Sequence, residues 1–224
     1  MAQQLPIAWE APPSFDAAAF VVAPGNEAAH RLITAWPRWP APALVLHGPS
    51  GSGKSHLGAI WARASGAAGI DARALRIDEV PSLLGEARAV LVEAADEATA
   101  SPERERALLH LYNLLLARGG SLLLIAREPP ALWPIALADL ASRLRAALPV
   151  RIDAPDDALL GAVLRKLFAD RQLQVSEEVI AAALVRMERS FAGAHALAAK
   201  LDYESLAQKR PVTTALLREV LAAL

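Results

Sequence analysis

Gly48-Pro49-Ser50-Gly51-Ser52-Gly53-Lys54-Ser55 fills every fixed position of the pattern G-x-x-x-x-G-K-[S/T], a loop that closes around phosphate where a strand gives way to a helix. Its flanks fit that geometry. Ala43-Leu44-Val45-Leu46 reads as a short buried strand, and His56-Leu57-Gly58-Ala59-Ile60-Trp61-Ala62 reads as the following helix. Glycines at 48, 51 and 53 let successive N–H groups converge on an anion beside the positive end of a helix dipole. Lys54 supplies a point charge for the outer phosphates, and the Ser55 hydroxyl is placed for Mg²⁺. Gly48, Pro49, Ser50, Gly51, Ser52, Gly53, Lys54, Ser55 and His56 are therefore candidate nucleotide-binding residues.

Outward from the loop, strands and helices alternate. Residues 1–14 carry prolines at 6, 12 and 13 with little periodicity and read as an extended tail. Phe20-Val21-Val22 is a short extended piece, and Asn26 to Trp36 has helical spacing that ends before Pro37. Ala72 to Ile77 and Arg88 to Glu93 read as strands. Ser101 caps a helix with Pro102 at its first position and Glu103 in its first turn, which runs to about Arg118 and stops at Gly119-Gly120. Ser121 to Ala126 and Pro149-Val150-Arg151-Ile152 complete the strands. Such alternation predicts an α/β fold, a three-layer parallel sheet. From Asp156 the sequence is helical only. Leu159, Leu160, Val163, Leu164, Leu167 and Phe168 form one apolar face, Ser176-Glu177-Glu178 opens a second helix, Ser190 to Gln208 is a third, and Thr213 caps a fourth. The expected division is a tail over 1–14, a nucleotide-binding domain over 15–154 and a small helical lid bundle over 155–224.

Composition narrows the function classes. In 224 residues, 23 Lys and Arg balance 24 Asp and Glu, so no net basic charge draws in nucleic acid. Cysteine is absent, which suits a cytoplasmic protein. Uninterrupted apolar runs such as residues 17–23 are far shorter than the ~20 residues a membrane span needs. Met1-Ala2-Gln3-Gln4 has no basic residue ahead of an apolar core, so no signal peptide is expected. The five histidines lack partners at metal-ligand spacing, and the five tryptophans do not alternate with basic residues as a single-strand stacking platform would.

Several further motifs carry a resemblance. Phe20-Val21-Val22-x-x-x-Asn26-x-x-Ala29-His30 before the loop, His110-x-x-Asn113 with Gly119-Gly120 and Pro129-Pro130, and Leu137-x-Asp139-Leu140-Ala141-Ser142-Arg143-Leu144 follow one another in order. Together they resemble the DnaA-related AAA+ family, and within it the branch of the regulatory inactivator of DnaA, Hda. The resemblance spans about Gln4 to Leu221 and implies an AAA+ core with a lid, binding ADP or ATP with Mg²⁺. It adds Val22 and Asn26 to the nucleotide-binding residues and Glu93, with Ser55, as the metal pair. Gln4-Leu5-Pro6-Ile7-Ala8-Trp9 resembles the peptide by which that branch binds the sliding clamp, with Gln4, Leu5, Pro6, Ile7 and Trp9 as contacts. Arg143 matches the arginine finger that enters a neighbouring subunit's nucleotide. On position alone, Arg143 reads instead as a surface residue or one end of an ion pair with Asp139 at i, i+4; it is the surrounding motif that points to the finger.

The sequence also departs from the pattern of a working ATPase. Glu93 stands in place of the usual metal-binding Asp, Ala94 where an acid orients the attacking water, and Ala126 at the polar sensor position. Asp96 follows two alanines and is set aside on that spacing. The lid's sensor arginine aligns with Ala192. A positioned general base is worth about 10²–10⁴ in rate, so a slow or silent ATPase is expected. The resemblance implies a regulator that, with the clamp, stimulates hydrolysis of ATP bound to the DnaA AAA+ domain. The initiator's helix-turn-helix would follow its lid, whereas this sequence ends at Leu224, so strong direct DNA binding is not expected and a homodimer is left open. The rivals are a self-sufficient ATPase of the initiator or loader type and a small-molecule P-loop kinase.

Overall fold

The computed structural model describes residue 17 and residues 20–222. The chain divides into two compact units, one spanning Phe15–Asp153 and the other containing Ala154–Leu224.

The first unit is built on five parallel strands: β1 (Ala43–His47), β2 (Ala68–Asp71), β3 (Ala89–Glu93), β4 (Ser121–Ala126) and β5 (Leu148–Arg151), in the order β2-β3-β4-β1-β5. The central strands are almost wholly apolar because helices cover both faces, the usual condition of a parallel sheet. Alternate side chains divide between two cores. Val45, Val90, Val92, Leu122 and Leu124 pack with residues of α3 (Val80–Leu84), α4 (Pro102–Ala117) and α5 (Ala138–Ala146). Leu44, Leu46, Leu91, Leu123 and Ile125 pack with α1 (Pro24–Thr34) and α2 (Lys54–Ser65). These are the three layers expected of the α/β fold.

Local chemistry sets the element ends. The Ser101 hydroxyl accepts the Arg104 N–H and starts α4; Gly119, at φ 66°, releases the chain after it. The expected strand over Ala72–Ile77 is corrected: the strand is β2, Ala68–Asp71, in register with Val90 to Glu93. Its carboxyl end is set by Asp71, whose carboxylate accepts the Arg73 N–H at 2.9 Å and turns Ala72–Ala74 into a short 3₁₀ helix. Elsewhere the differences are at boundaries. The first helix begins at Pro24 and ends at Thr34, before Trp36, and β5 begins at Leu148.

The second unit is helical throughout its described residues: α6 (Asp157–Asp170), α7 (Glu177–Arg186), α8 (Phe191–Gln208) and α9 (Thr214–Ala222). Asp156, Ser176 and Ser190 cap the first three through hydrogen bonds from Leu159, Val179 and Gly193. Leu160, Leu164, Ile180, Leu197, Leu201, Leu216 and Leu217 are buried in its interior. Among the described residues no helix is long and apolar enough to cross a membrane.

Candidate nucleotide site

The loop 48–53 leaves β1 at the carboxyl edge of the sheet and delivers Lys54 as the first residue of α2. Gly48, Gly51 and Gly53 all have positive φ, at 153°, 68° and 93°. At Gly48 the requirement is steric as well, since a Cβ would lie 2.1 Å from the Ile152 carbonyl oxygen. That glycine is also pinned, its N–H donating to the Arg127 carbonyl at 3.1 Å.

Lys54 is nearly buried and its ammonium donates to the carbonyls of Gly48 at 2.7 Å and Pro49 at 2.6 Å. Burial lowers its pKa, while the carboxylates of Asp96 and Glu93 oppose that shift. The Ser52 hydroxyl is buried with no hydrogen-bond partner among the described residues. An orphaned buried hydroxyl in a loop curled by three positive-φ glycines is what a phosphate oxygen would satisfy, so this loop fits a nucleotide's phosphates. Pro49 and Ser50 form the exposed outer turn.

Ser55 and Glu93 are brought together, the serine hydroxyl donating to the Glu93 carboxylate at 3.3 Å. Burial pushes the Glu93 carboxyl up, against the Ser55 hydrogen bond and the Lys54 charge. Two hard oxygen donors at the mouth of a phosphate loop suit Mg²⁺, whose other ligands come from phosphates and water. Among the described residues no cluster of three or more His, Cys, Asp or Glu could hold a metal without such help.

The segment before α1 is organised by Asn26. Its amide oxygen accepts the Ala23 N–H at 2.8 Å and its nitrogen donates to the Val21 carbonyl at 3.0 Å. Asn26 is thus buried and spends its side chain on holding residues 21–23, leaving Val22 46% exposed as the side chain on offer to a ligand. His56 meets the ring of Phe20 edge-on at 5.3 Å, and Phe20 stacks on His30 at 5.5 Å.

Ala94 and Ala126 bring no polar side-chain atom to the site. Ala94 adopts φ 50°, ψ 42°, and this left-handed turn opens a 3₁₀ helix over Ala95–Ala100. The turn swings Asp96 back: its carboxylate accepts the Arg127 N–H at 3.1 Å and, with Glu93, opposes the lowering of the Lys54 pKa by burial. Spacing in the sequence concealed this, because two intervening alanines suggest distance until the turn is known. His47, the last residue of β1, has its pKa lowered by burial and then by Arg151.

Arg143 lies on α5, where its Nε donates to Asp139 at 3.1 Å and its guanidinium sits 5.7 Å over the ring of Tyr112. Both the i, i+4 pair and a presented guanidinium are present, the side chain being 39% exposed. Ala192 occupies the first turn of α8. Gln4, Leu5, Pro6, Ile7 and Trp9 lie outside the described residues. Sequence reading did not reveal the contacts of Glu105, whose carboxylate accepts the Ala136 and Leu137 N–H groups, or of Tyr112, whose ring lies under Arg143. Glu105 carried one visible signal, an acid at i−3 to Leu108 and i−7 to Tyr112 on the buried stripe of α4.

No protein-family model matches the chain. Solved structures do. Domain III of the Thermotoga maritima replication initiation protein DnaA superposes with a TM-score of 0.79 at 19% identity, over 94% of this chain and 97% of that one. AMPPCP-bound DnaA from Aquifex aeolicus gives 0.71 at 19% identity, over 88% of this chain and 68% of that one. The AAA domain of FIGL-1 in complex with ADP gives 0.66 at 17% identity, over 90% and 82%. At these identities the likeness is one of fold, and the fold is the α/β AAA+ fold seen in the DnaA domain.

Proposed function

We propose that the chain is a nucleotide-holding AAA+ regulator of replication initiation, which with the sliding clamp stimulates hydrolysis of DnaA-bound ATP and so inactivates the initiator. One observation carries most of the reading: an intact phosphate loop stands beside Ala94 and Ala126, so binding groups are kept where hydrolytic ones are missing. The nucleotide is ADP or ATP, consistent with the AMPPCP and ADP in the structural neighbours. Backbone amides of residues 50–55 and the Lys54 ammonium hold its phosphates, with Val22 and His56 completing the nucleotide-binding set. Ser55 and Glu93 would hold Mg²⁺, which supplies charge neutralisation on the phosphates.

The chemistry then falls on the partner's nucleotide. Arg143 carries a guanidinium that stays charged and presents a planar fork suited to a γ-phosphate. Delivered in trans, such a group is worth about 10³–10⁵ in rate. Residues 1–14 serve as the clamp-binding tail, 15–154 as the nucleotide-binding domain and 155–224 as the lid of this cytoplasmic regulator.

A self-sufficient ATPase is the second reading, and Asp96 is the observation in its favour: a carboxylate does reach the neighbourhood of Lys54. The two readings separate in one comparison. ATP turnover by the isolated chain is measured against conversion of DnaA–ATP to DnaA–ADP when the chain and DNA-loaded clamp are added. Slow basal turnover with strong stimulation supports the regulator. Robust basal turnover without stimulation overturns it.

A further inference from the structure

Helix α5 has no side-chain cap of its own at Leu137. The two residues leading into it are held from outside. Glu105, 1% exposed on α4, accepts the N–H of Ala136 at 2.9 Å and of Leu137 at 2.8 Å through its two carboxylate oxygens. A carboxylate at that point satisfies free amide donors and opposes the positive end of the helix dipole. Two turns further along the same helix, Tyr112 is 5% exposed and turns its ring to Arg143. The ring offers its electron-rich face to that cation, the guanidinium lying 5.7 Å from its centroid. Leu140 and Leu144, fully or almost fully buried, fill the seam between these two points.

We propose that Glu105 and Tyr112 are positioning residues for Arg143: α4 clamps the start of α5 with a carboxylate and supports the guanidinium with an aromatic face. The inference rests on the reading of Arg143 as the group delivered to a partner's nucleotide. It deepens that reading by saying what aims the side chain. An arginine side chain has several rotatable bonds, and Asp139 alone, 58% exposed, would hold it in competition with water. The buried ring limits those rotamers to ones lying across its face. Partner binding then replaces the contact with Asp139 while the ring contact persists.

The test follows the maximal rate at which each full-length variant, with DNA-loaded clamp, converts DnaA–ATP to DnaA–ADP, and the concentration giving half that rate. Tyr112→Leu is expected to lower the maximal rate by about tenfold or more, a displacement near 1 Å costing about 10²-fold, with the half-saturating concentration unchanged. Tyr112→Phe, which keeps the ring, is expected to stay within about twofold of wild type. Glu105→Gln, which retains one acceptor oxygen, should fall between them. In Tyr112→Leu the Arg143 Nε–H resonance should also lose the shielding of the ring face, a change that a general packing defect would not cause. Thermal shift with ADP shows that each variant is folded; should Tyr112→Leu fail it, Glu105→Gln and Tyr112→Phe carry the test. A wild-type maximal rate in Tyr112→Leu, or an equal loss in Tyr112→Phe, overturns the inference. Arg143→Ala in the same assay separates the two layers. If it stimulates fully, the finger reading falls and the inference with it. If it fails while Tyr112→Leu and Glu105→Gln do not, only the positioning role falls.

Discussion

Replacing Glu105 by alanine removes one of the few buried charges of the first unit, and its cost can be worked from the contacts. The carboxylate makes two hydrogen bonds to backbone amides, at 2.9 and 2.8 Å. A hydrogen bond to a charged group contributes about 1.5–3 kcal/mol, and an amide left without a partner in the interior costs about 1–3 kcal/mol. Two such bonds set an upper range near 6 kcal/mol. Relaxation of residues 136 and 137 toward water recovers part of it, leaving roughly 3–4 kcal/mol. Against a total of about 5–15 kcal/mol, that is a severe loss. At about 2–4 °C per kcal/mol for a chain of this size, the midpoint should fall by about 6–16 °C. Urea denaturation of wild type and Glu105→Ala gives the difference, and amide exchange at Ala136 and Leu137 should rise more than exchange in β4. A cost below about 1 kcal/mol would refute the reasoning, because it would mean that water already serves both amides.

Three further outcomes follow from the site. Lys54→Ala should abolish the thermal stabilisation by ADP, which in wild type reaches about 2.7 kcal/mol at a hundredfold excess over Kd; a retained shift would place binding elsewhere. Burial raises the Glu93 pKa, so the native state holds that proton more tightly than the unfolded chain. Its contribution to stability is therefore full below the ordinary glutamate range and is lost as pH rises through the raised value. Glu93→Gln should remove that decline, leave the nucleotide-free protein no less stable near neutral pH, and weaken the Mg²⁺-dependent part of nucleotide binding; pH-resolved melting with and without Mg²⁺ checks it. For the tail, Gln4→Ala with Leu5→Ala should lower retention on immobilised clamp at least about tenfold while leaving nucleotide binding intact, and unchanged retention would remove the clamp assignment.

The nucleotide end of the sheet was the most legible part of the sequence, because the loop's chemistry is local. Lys54, Ser55 and three glycines fall within eight consecutive residues, and β1 and β4 are apolar apart from His47 at the end of one and Ser121 at the start of the other. Helix starts were legible for the same reason, as at Ser101, Asp156 and Ser176, where cap and partner lie three residues apart. What escaped depends on tertiary geometry. β2 is an edge strand with Ile70 as its one large buried side chain, so Ala68-Gly69-Ile70-Asp71 carries little strand signal. Asp96 reaches Arg127 only through a left-handed alanine, a conformation that no sequence pattern announces. Glu105 and Tyr112 act on residues some 30 positions downstream, and their partners are visible only once α4 and α5 are packed.

The central claim is that this chain acts on a partner's nucleotide through Arg143, and single-turnover conversion of DnaA–ATP to DnaA–ADP tests it most directly. Wild type, Arg143→Ala and Arg143→Lys are each added with DNA-loaded clamp, after ADP thermal shift and clamp retention have been matched. The account expects Arg143→Ala to lose stimulation by about 10³-fold or to background, and Arg143→Lys to recover little, since an ammonium keeps the charge but not the planar fork. Stimulation by Arg143→Ala equal to wild type would contradict the account and leave this residue only its contacts with Asp139 and the Tyr112 ring.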